Sequence, residues 1–351
     1  MRNYMMAFFF SIIVAYLATP VAKKWAKKVG AIDIPKDDRR IHLKPTPLLG
    51  GLAIYFASMI GILLFVPFDK RIISIMIGAT IVVACGYFDD IKPISPKIKL
   101  TIQILAACLV IYNGIIINRI TNPLVFFNGV KWMELGILSY PVTLIWIVGL
   151  TNAFNLIDGL DGLAAGVSVI SSMTLFVVAI LLGSEQQYVP IITAILAGST
   201  LGFLPYNFNP AKIFMGDTGA MFLGFMLSVI SAIGVLKSAT ALAILIPVLA
   251  MGLPIIDTAF AMIRRAANGK SMIEADNGHL HHKLIEKGYS QKQAVLTLYS
   301  LSAVLGIGAV AIIEVKQKVL YFLVLTVFVG AFLGIKYLKS YNKDNKNNMD
   351  A

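Results

Sequence analysis

The sequence predicts an all-α polytopic membrane protein, with about eleven transmembrane helices and an active site at the cytoplasmic face. Hydrophobic residues make up 58% of the 351 residues and charged residues only 14%, whereas soluble domains average about 45–50% and about 25% respectively. So few charges cannot cover the surfaces of soluble domains of this total length. The apolar residues also form runs long enough to cross a bilayer, which needs about 20 residues per helix.

Eleven apolar runs are candidate spans. Their approximate limits are 4–22, 48–66, 72–88, 100–118, 137–157, 162–182, 188–204, 218–236, 239–260, 294–313 and 319–338. Lysines follow the first run instead of preceding it, and no clear small-x-small cleavage site is present. We therefore expect a retained first helix with its N-terminus outside.

The charged residues fall mainly on one side of these spans. The loops after odd-numbered spans and the C-terminal tail carry most of the 30 Lys and Arg, so the positive-inside rule makes them cytoplasmic. Most acids and all four histidines share that side, although acids contribute little to topology. The sequence thus predicts one transmembrane domain over 1–338 with a long cytoplasmic loop at 261–293, and a polar, disordered tail at 339–351.

Asp89 and Asp90 stand together where the third run ends. Adjacent carboxylates repel each other, and both are costly to remove from water. A divalent cation or a proton would relieve both costs. A solvated start of the following loop explains an isolated acidic pair equally well.

A polar stripe ends the fifth run. Asn152, Asn155 and Asp158 are three residues apart and so share one face of a helix. Asp161 continues the series unless Gly159 ends the helix. Two amides and two acids at the end of an apolar helix are difficult to explain by packing, so the stripe favours a functional role.

Asn207 and Asp217 belong to a glycine-containing segment just before the eighth run. Glycines let a backbone approach a ligand closely, and the position of Asp217 allows its carboxylate to enter a polar cleft. A helix N-cap is the alternative explanation for a single Asp at the start of a helix.

Basic residues are concentrated in the loop 261–293, which contains the pair Arg264-Arg265 and the motif His279-x-His281-His282. Arginine matches phosphate oxygens with two parallel hydrogen bonds, and histidine binds phosphate or transfers protons. No cysteines accompany the histidines, so a zinc finger is not indicated. A solvated basic loop is the alternative.

Two further lysines precede the second and fourth runs, Lys44 and Lys99. A lysine that faces acids at a membrane surface suits a phosphate bridged by a cation, and it suits positive-inside anchoring equally well. Taken with the acids, the basic groups indicate phosphoryl transfer, which depends on positioning and charge neutralisation. Mg²⁺ is typically held by one or two carboxylates and the substrate phosphates. The wholly transmembrane architecture favours a lipid as one substrate.

The chain resembles the polyprenyl-phosphate N-acetylhexosamine-1-phosphate transferases from Arg39 to about Gln293. The motifs that carry the resemblance occur in the family's order: Asp89-Asp90, Asn152-x-x-Asn155-x-x-Asp158-Gly-Leu-Asp161-Gly, Phe214-Met-Gly-Asp217 and His279-x-His281-His282. The resemblance implies transfer of a sugar-1-phosphate from a UDP-sugar to undecaprenyl phosphate, with release of UMP. It also implies Mg²⁺ as cofactor, with Mn²⁺ as an alternative, and a bent or broken ninth span, consistent with Pro247 and Pro254.

The resemblance implies roles for the residues of these motifs. Asp217 is expected to bind Mg²⁺ directly, with Asp89 and Asp90 beside the metal and Asp89 as base for the lipid phosphate. The contribution of such a base to the rate is small, because a phosphate is already ionised near neutral pH. The expected catalytic residues are Asp89, Asp90, Asp158, Asp161 and His279. The expected substrate-binding residues are Lys44, Lys99, Asn152, Asn155, Asn207, Arg264, Arg265, His281 and His282.

Two features bear on the substrate. The His-x-His-His order and the Arg264-Arg265 pair resemble the branch that uses UDP-N-acetylglucosamine (UDP-GlcNAc) in teichoic acid or O-antigen initiation. The runner-up is UDP-N-acetylmuramoyl-pentapeptide in peptidoglycan synthesis. Some members carry Asp-Asp-x-x-Lys, but here Pro93 takes the last position and Lys92 comes one residue early.

The expected location is the inner (plasma) membrane, with the C-terminus cytoplasmic. The net charge of +12 fits anionic substrates and lipid headgroups better than nucleic acid. A homodimer is among the expected partners, because dimers are common for such bundles. A secondary transporter is the alternative of another class, but transport sites tend to lie near the bilayer midplane and these acids lie at span ends.

Overall fold

The computed structural model describes residues 2–34, 45–121, 132–183, 188–234, 245–267 and 278–314. The α-helices in these ranges are α1 Arg2–Val29, α2 Gly51–Phe65, α3 Lys70–Ile91, α4 Pro96–Tyr112, α5 Ser139–Ile157, α6 Leu163–Leu181, α7 Tyr188–Asn207, α8 Gly216–Gly234, α9 Leu245–Ala250, α10 Gly252–Ala267, α11 Leu280–Glu286 and α12 Gln291–Glu314. Residues 1–310 form one compact unit, and nearly all of the second unit, 311–351, lies outside the described ranges.

Seven helical segments in the described ranges are long and apolar enough to cross a membrane. They are Arg2–Val29, Lys70–Ile91, Gly136–Ile157, Leu163–Leu181, Tyr188–Asn207, Gly216–Ile233 and Gln291–Ile313. The second predicted run corresponds to α2, an apolar helix of 15 residues, and the fourth to α4, of 17 residues. The eleventh run lies outside the described residues. The chain is thus a multi-pass membrane protein, and the total of eleven spans stays a prediction.

The ninth predicted run is interrupted, as expected. Helix α9 ends at Ala250 and α10 begins at Gly252, with a turn at Met251 between them. Pro247 and Pro254 lie on either side of this turn. Because proline lacks an N–H and clashes with the preceding turn of a helix, two prolines this close favour a break.

Short strands add to a fold that the sequence predicts to be all-α. Strand β1 (Ile32–Asp33) pairs antiparallel with β2 (Thr46–Pro47), and β3 (Arg119–Thr121) pairs antiparallel with β4 (Trp132–Glu134). In the first pair, the carbonyl of Pro47 also accepts the N–H of Phe214 at 2.8 Å. Extended connections at the ends of the bundle satisfy their backbone groups in this way, which apolar periodicity does not reveal.

Helix α8 is central to the described bundle and packs against α2, α3, α5, α6 and α7. Glycines permit the closest of these approaches. A Cβ atom on Gly51 of α2 would overlap the backbone nitrogen of Gly219 in α8. In the same way, Gly198 and Gly202 bring α7 against the backbone carbonyls of α1. Small residues at helix contacts are typical of membrane proteins, where close packing drives helix association.

Candidate active site

A cleft of about 620 Å³ opens where several helices of the compact unit end. Its lining residues are Gly30, Ile32, Asp33, Ile34, Leu48, Asp89, Asp90, Ile91, Pro93, Asn155, Asp158, Gly159, Leu160, Asp161, Asn207, Phe214, Gly216, Asp217 and Gln291. Most polar members come from the last turns of α3, α5 and α7, the turn after α5, and the first turns of α8 and α12, and Asp33 comes from β1. The motif acids Asp89, Asp90, Asp158, Asp161 and Asp217, which the sequence predicts at one membrane face, therefore share one cleft.

Asp89 and Asp217 converge on the same lysine. The ammonium of Lys99 lies 2.6 Å from Oδ2 of Asp89 and 2.5 Å from Oδ2 of Asp217. The other oxygen of Asp89 accepts the backbone N–H of Ile94 at 2.8 Å. Helices α3, α4 and α8 thus place two negative charges and one positive charge at one point, a point that suits a cation or a phosphate.

Asp90 faces a different group from its neighbour. Its Oδ1 accepts the N–H of Asp217 at 2.8 Å, and its Oδ2 accepts the N–H and the hydroxyl of Thr218 at 3.1 and 2.6 Å. All three donors belong to the first turn of α8. The carboxylate therefore lines the cleft while its hydrogen bonds go to this helix.

Asn207 lies at the end of α7 and is 2% exposed. Its Nδ2 donates to the carbonyl of Ile213 at 3.1 Å, whereas its Oδ1 is buried without a hydrogen-bond partner in the structure. An unpartnered buried oxygen is costly, and this one belongs to a residue that lines the cleft. It is therefore a candidate acceptor for a ligand donor or ligand for a cation.

Asp158 ends α5, where its backbone N–H bonds to the carbonyl of Asn155 at 3.3 Å. Burial, together with the negative charges of Asp217, Asp90 and Asp161, raises the pKa of the Asp158 carboxyl to about 8. The group is thus poised to gain or lose a proton near neutral pH, which is the condition for general acid–base work.

Asp161 holds the loop after α7. Its Oδ2 accepts the N–H of Ala211 at 2.9 Å and the side-chain amide of Asn209 at 3.0 Å. The same amide group of Asn209 donates to Oε1 of Gln291 at 2.6 Å. Asp161 is 8% exposed. It lines the cleft, but these contacts give it a part in shaping the cleft wall, and its predicted catalytic role stays a prediction.

Asn152 is one turn further from the cleft and does not line it. Its side-chain amide donates to Oε1 of Gln103 at 2.6 Å and to the carbonyl of Val148 at 2.8 Å. These bonds join α5 to α4. Of the predicted stripe, Asn155, Asp158 and Asp161 thus reach the cleft, while the first amide is used between helices.

The histidines cluster beside the cleft rather than among its lining residues. Nδ1 of His279 lies 2.8 Å from Oδ2 of Asp257, and the rings of His279 and His281 stack at 5.7 Å. A Cβ atom on Gly159 would overlap the ring of His281. This motif therefore packs against the turn that carries Asp158.

His281 and His282 differ in environment. Burial, together with the neighbouring His282, lowers the pKa of His281 to about 3. His281 is therefore neutral at physiological pH and can meet a phosphate only as a hydrogen-bond partner, not as a cation. The ring of His282 lies 4.3 Å from that of His281.

The remaining predicted basic residues lie outside the described lining of the cleft. Arg264 and Arg265 occupy the last turn of α10, and Arg265 is buried. A Cβ atom on Gly278 would overlap the guanidinium of Arg264, so this arginine packs beside the histidine motif. Lys44 lies outside the described residues.

Sequence reasoning missed several contributors. Asp257 stands in an apolar run, where an acid needs a buried partner; that signal could have marked it, and the structure shows that the partner is His279. The cleft is also lined by Gln291 and by four residues that follow α1, but nothing in their residue types distinguishes them from ordinary loop positions. These four are Gly30, Ile32, Asp33 and Ile34. Phe214 belongs to the motif Phe214-Met-Gly-Asp217, but no role is predicted for it from the sequence. In the structure its backbone N–H donates to the carbonyl of Pro47, and the residue lines the cleft.

Comparisons with known proteins show the family to which the chain belongs. Residues 72–235 match glycosyl transferase family 4. A Bacillus subtilis (strain 168) relative is named "Probable undecaprenyl-phosphate N-acetylglucosaminyl 1-phosphate transferase". It is 40% identical over 313 residues, which cover 89% of this chain and 86% of the relative.

Two other relatives differ in the substrate that their names state. A decaprenyl-phosphate N-acetylglucosaminephosphotransferase from Mycolicibacterium smegmatis is 34% identical over 86% of this chain and 80% of its own. A phospho-N-acetylmuramoyl-pentapeptide-transferase from Borrelia hermsii is 29% identical over 88% of this chain and 94% of its own. The alignments extend over nearly the whole length of each protein, and the chain is therefore a membrane-embedded member of glycosyl transferase family 4.

Proposed function

We propose that this protein transfers N-acetylglucosamine-1-phosphate from UDP-GlcNAc to undecaprenyl phosphate, releases UMP and so starts a teichoic acid or O-antigen type glycopolymer. The observation that carries the proposal is the 40% identity to the Bacillus subtilis relative over most of both chains. The cleft agrees with it, because carboxylates, an ammonium and amides converge there.

The protein's part in this reaction is to position the substrates and to stabilise charge, and no covalent intermediate with the protein is needed. An oxygen of the lipid phosphate attacks the phosphorus that bears the sugar, and the bond from that phosphorus to the bridging oxygen breaks, so that UMP leaves. Negative charge moves from the attacking phosphate to UMP. Enzymes accelerate such transfers by holding the two phosphates in line and by stabilising this charge.

Lys99 supplies the fixed positive charge at the cleft. It already lies within 2.6 Å of Asp89 and Asp217, so it can move from these carboxylates to phosphate oxygens without leaving the site. Asp89 is placed to take the remaining proton of a lipid phosphate, whose second pKa is near 6. Asp158 and Asn155 line the cleft for contacts with the UDP-sugar.

The residues present fit Mg²⁺. No cluster of three or more His, Cys, Asp or Glu is suited to a metal among the residues that the structure describes, but Mg²⁺ is usually held by one or two carboxylates together with phosphates. Asp217 and Asp89 would hold it, with the unpartnered oxygen of Asn207 nearby in the same cleft. The ion supplies neutralisation of phosphate charge in this chemistry. Mn²⁺ prefers similar ligands.

We propose that the cleft lies at the cytoplasmic face, as the positive-inside rule predicts. The cleft gathers helix ends from one end of the bundle, and the loops at that end are the ones predicted to be cytoplasmic. A UDP-sugar made in the cytoplasm could then enter directly, and the lipid would arrive from the inner membrane. The homodimer stays a prediction.

The alternative donor is UDP-N-acetylmuramoyl-pentapeptide, which the name of the Borrelia hermsii relative favours at lower identity, 29%. The transporter hypothesis receives no support from these relatives, which are named as transferases.

Exchange of labelled UMP into the UDP-sugar tests the proposal. Purified protein in detergent should catalyse exchange with UDP-GlcNAc only when undecaprenyl phosphate and Mg²⁺ are present. UDP-N-acetylmuramoyl-pentapeptide serves as the matched donor. Exchange with that donor alone would reassign the substrate, and no exchange with either by folded protein would overturn the proposal.

A further inference from the structure

We propose that Asp90 is a positioning residue: its carboxylate caps the first turn of α8 from the neighbouring helix α3 and thereby fixes Asp217, whereas Asp89 faces the reacting groups. The resemblance implies the same roles, catalysis and a place beside the metal, for both Asp89 and Asp90. The contacts separate them. What Asp217 does in the reaction rests on the proposed function, but the capping contact does not.

The cap is needed because of how α8 begins. The first four N–H groups of a helix have no acceptor within the helix. An ordinary helix supplies one from the side chain of its N-cap residue, but α8 begins at Gly216, and the residue before it is Met215. Glycine has no side chain, and the thioether sulfur of methionine is only a weak acceptor. The first turn therefore depends on an acceptor from elsewhere in the fold.

Asp90 is that acceptor. Its two oxygens take the backbone N–H groups of Asp217 and Thr218 at 2.8 and 3.1 Å and the hydroxyl of Thr218 at 2.6 Å. A carboxylate at a helix N-terminus is also favoured by the helix dipole. The number of bonds and the sign of the charge both match a capping role.

The surrounding backbone is shaped for this contact. Gly216 has a φ of +68°, which favours glycine, and a Cβ atom there would overlap the carboxylate of Asp90. One turn before Asp90, a Cβ on Gly86 would come within 2.5 Å of the backbone nitrogen of Thr218. The last turn of α3 and the first turn of α8 therefore touch at backbone distance.

Asp89 points elsewhere. Successive residues of an α-helix are rotated by about 100° around its axis, so adjacent acids cannot serve the same group equally. The oxygens of Asp89 contact Lys99 and the N–H of Ile94, and Lys99 in turn contacts the side chain of Asp217. Asp217 is thus held by its backbone through Asp90 and by its side chain through Lys99.

Hydrogen–deuterium exchange tests the contact without relying on activity. In the full-length protein in detergent, Asp90→Ala should raise amide exchange about tenfold in the peptide that contains Asp217 and Thr218, because two hydrogen bonds are lost. Asp90→Asn should raise it less, since the single amide oxygen of asparagine can still accept one of the two backbone N–H groups. Asp89→Asn is the matched control and should leave that peptide protected. Unchanged protection in Asp90→Ala would overturn the proposal.

The UMP exchange assay provides the second readout. A capping role predicts that Asp90→Asn keeps about a tenth or more of the wild-type rate, while Asp90→Ala loses about a hundredfold through misplacement of Asp217. Equal losses in the two variants with intact amide protection would mean that the charge of Asp90 acts directly, and would overturn the proposal. Wild-type protein without UMP exchange activity would instead refute the proposed function. The hydrogen–deuterium exchange of the Asp217–Thr218 peptide would still decide the role of Asp90.

Discussion

The carboxylate of Asp257 fixes the imidazole of His279. Its Oδ2 lies 2.8 Å from Nδ1 of His279, and both side chains are at most 6% exposed. The other oxygen accepts the N–H of Leu280 at 2.8 Å and so holds the start of α11. With Nδ1 engaged, Nε2 is the ring nitrogen that remains for the predicted contact with substrate.

We therefore expect Asp257→Ala to impair the enzyme as His279→Ala does. Carboxylates that orient metal-binding histidines contribute about 10- to 100-fold, and we expect a loss of that size in UMP exchange. The double variant should lose little more activity than either single variant, because each change disrupts the same Asp257–His279 pair. Additive losses would show that the two residues act separately.

Asp217→Ala should fold and lose activity. In this variant Lys99 keeps its ion pair with Asp89, so no buried charge is left unpaired. The reaction loses a carboxylate that we assign to Mg²⁺, and we expect a rate reduction of about 10²–10³, typical for a single electrostatic group in a site. UMP exchange measures the rate, and thermal unfolding in detergent controls for folding. Full activity would remove Asp217 from the proposed metal site.

Lys99→Met should make the protein more dependent on divalent cations for stability. The wild-type ammonium neutralises Asp89 and Asp217, and methionine leaves the two carboxylates to repel each other. Added Mg²⁺ should then raise the unfolding temperature of the variant more than that of the wild type. Lys97→Met is the control, since Lys97 is exposed on the same helix. An equal response in all three proteins would contradict the expectation.

Asp158→Asn should stabilise the fold at alkaline pH. Burial raises the folded pKa of Asp158 to about 8 from 3.8, so the folded state holds a proton that the unfolded state releases between these values. Wild-type stability should therefore fall as pH rises from about 4 to 8. The variant lacks this slope, and its unfolding temperature should exceed that of the wild type by about 2 °C or more at pH 8. Differential scanning fluorimetry in EDTA checks this, and a constant difference across the pH range would contradict it.

Gly202→Ala should weaken the packing of α1 on α7. A Cβ atom there would overlap the carbonyl oxygen of Ile12, and overpacking costs about 1–3 kcal/mol. We expect a lower unfolding temperature. Gly149→Ala in α5 is the matched control, because a Cβ there meets nothing within 4 Å and alanine favours the helix. Equal stability of the two variants would show that α1 shifts without cost.

The membrane class, the order of most helices and the acids of the cleft could be predicted from the sequence. Long apolar runs and Asp at their ends are local signals, and Asp89, Asp158 and Asp217 were placed by them. The break between α9 and α10 followed from two prolines. The position of Asn152 did not follow, because three-residue spacing fixes a helix face but not how far along the helix the cleft reaches.

Contacts between distant segments could not be predicted. Nothing in the local sequence shows that Asp90 turns to α8 while Asp89 turns to Lys99, since both contacts depend on how α3, α4 and α8 meet. The same holds for the bond between Asn209 and Gln291. A single sequence records which residues are polar, whereas the partner of each is set by the packing of the helices.

The bond between Asn209 and Gln291 joins residues 82 positions apart, which has a consequence for biosynthesis. A ribosome delivers Asp89, Asp158 and Asp217 to the membrane before it has made Gln291 or the helix that Gln291 begins. Until then the wall of the cleft formed by the Asp161–Asn209–Gln291 chain of hydrogen bonds is incomplete. The nascent protein therefore carries these acids before this wall of the cleft can form.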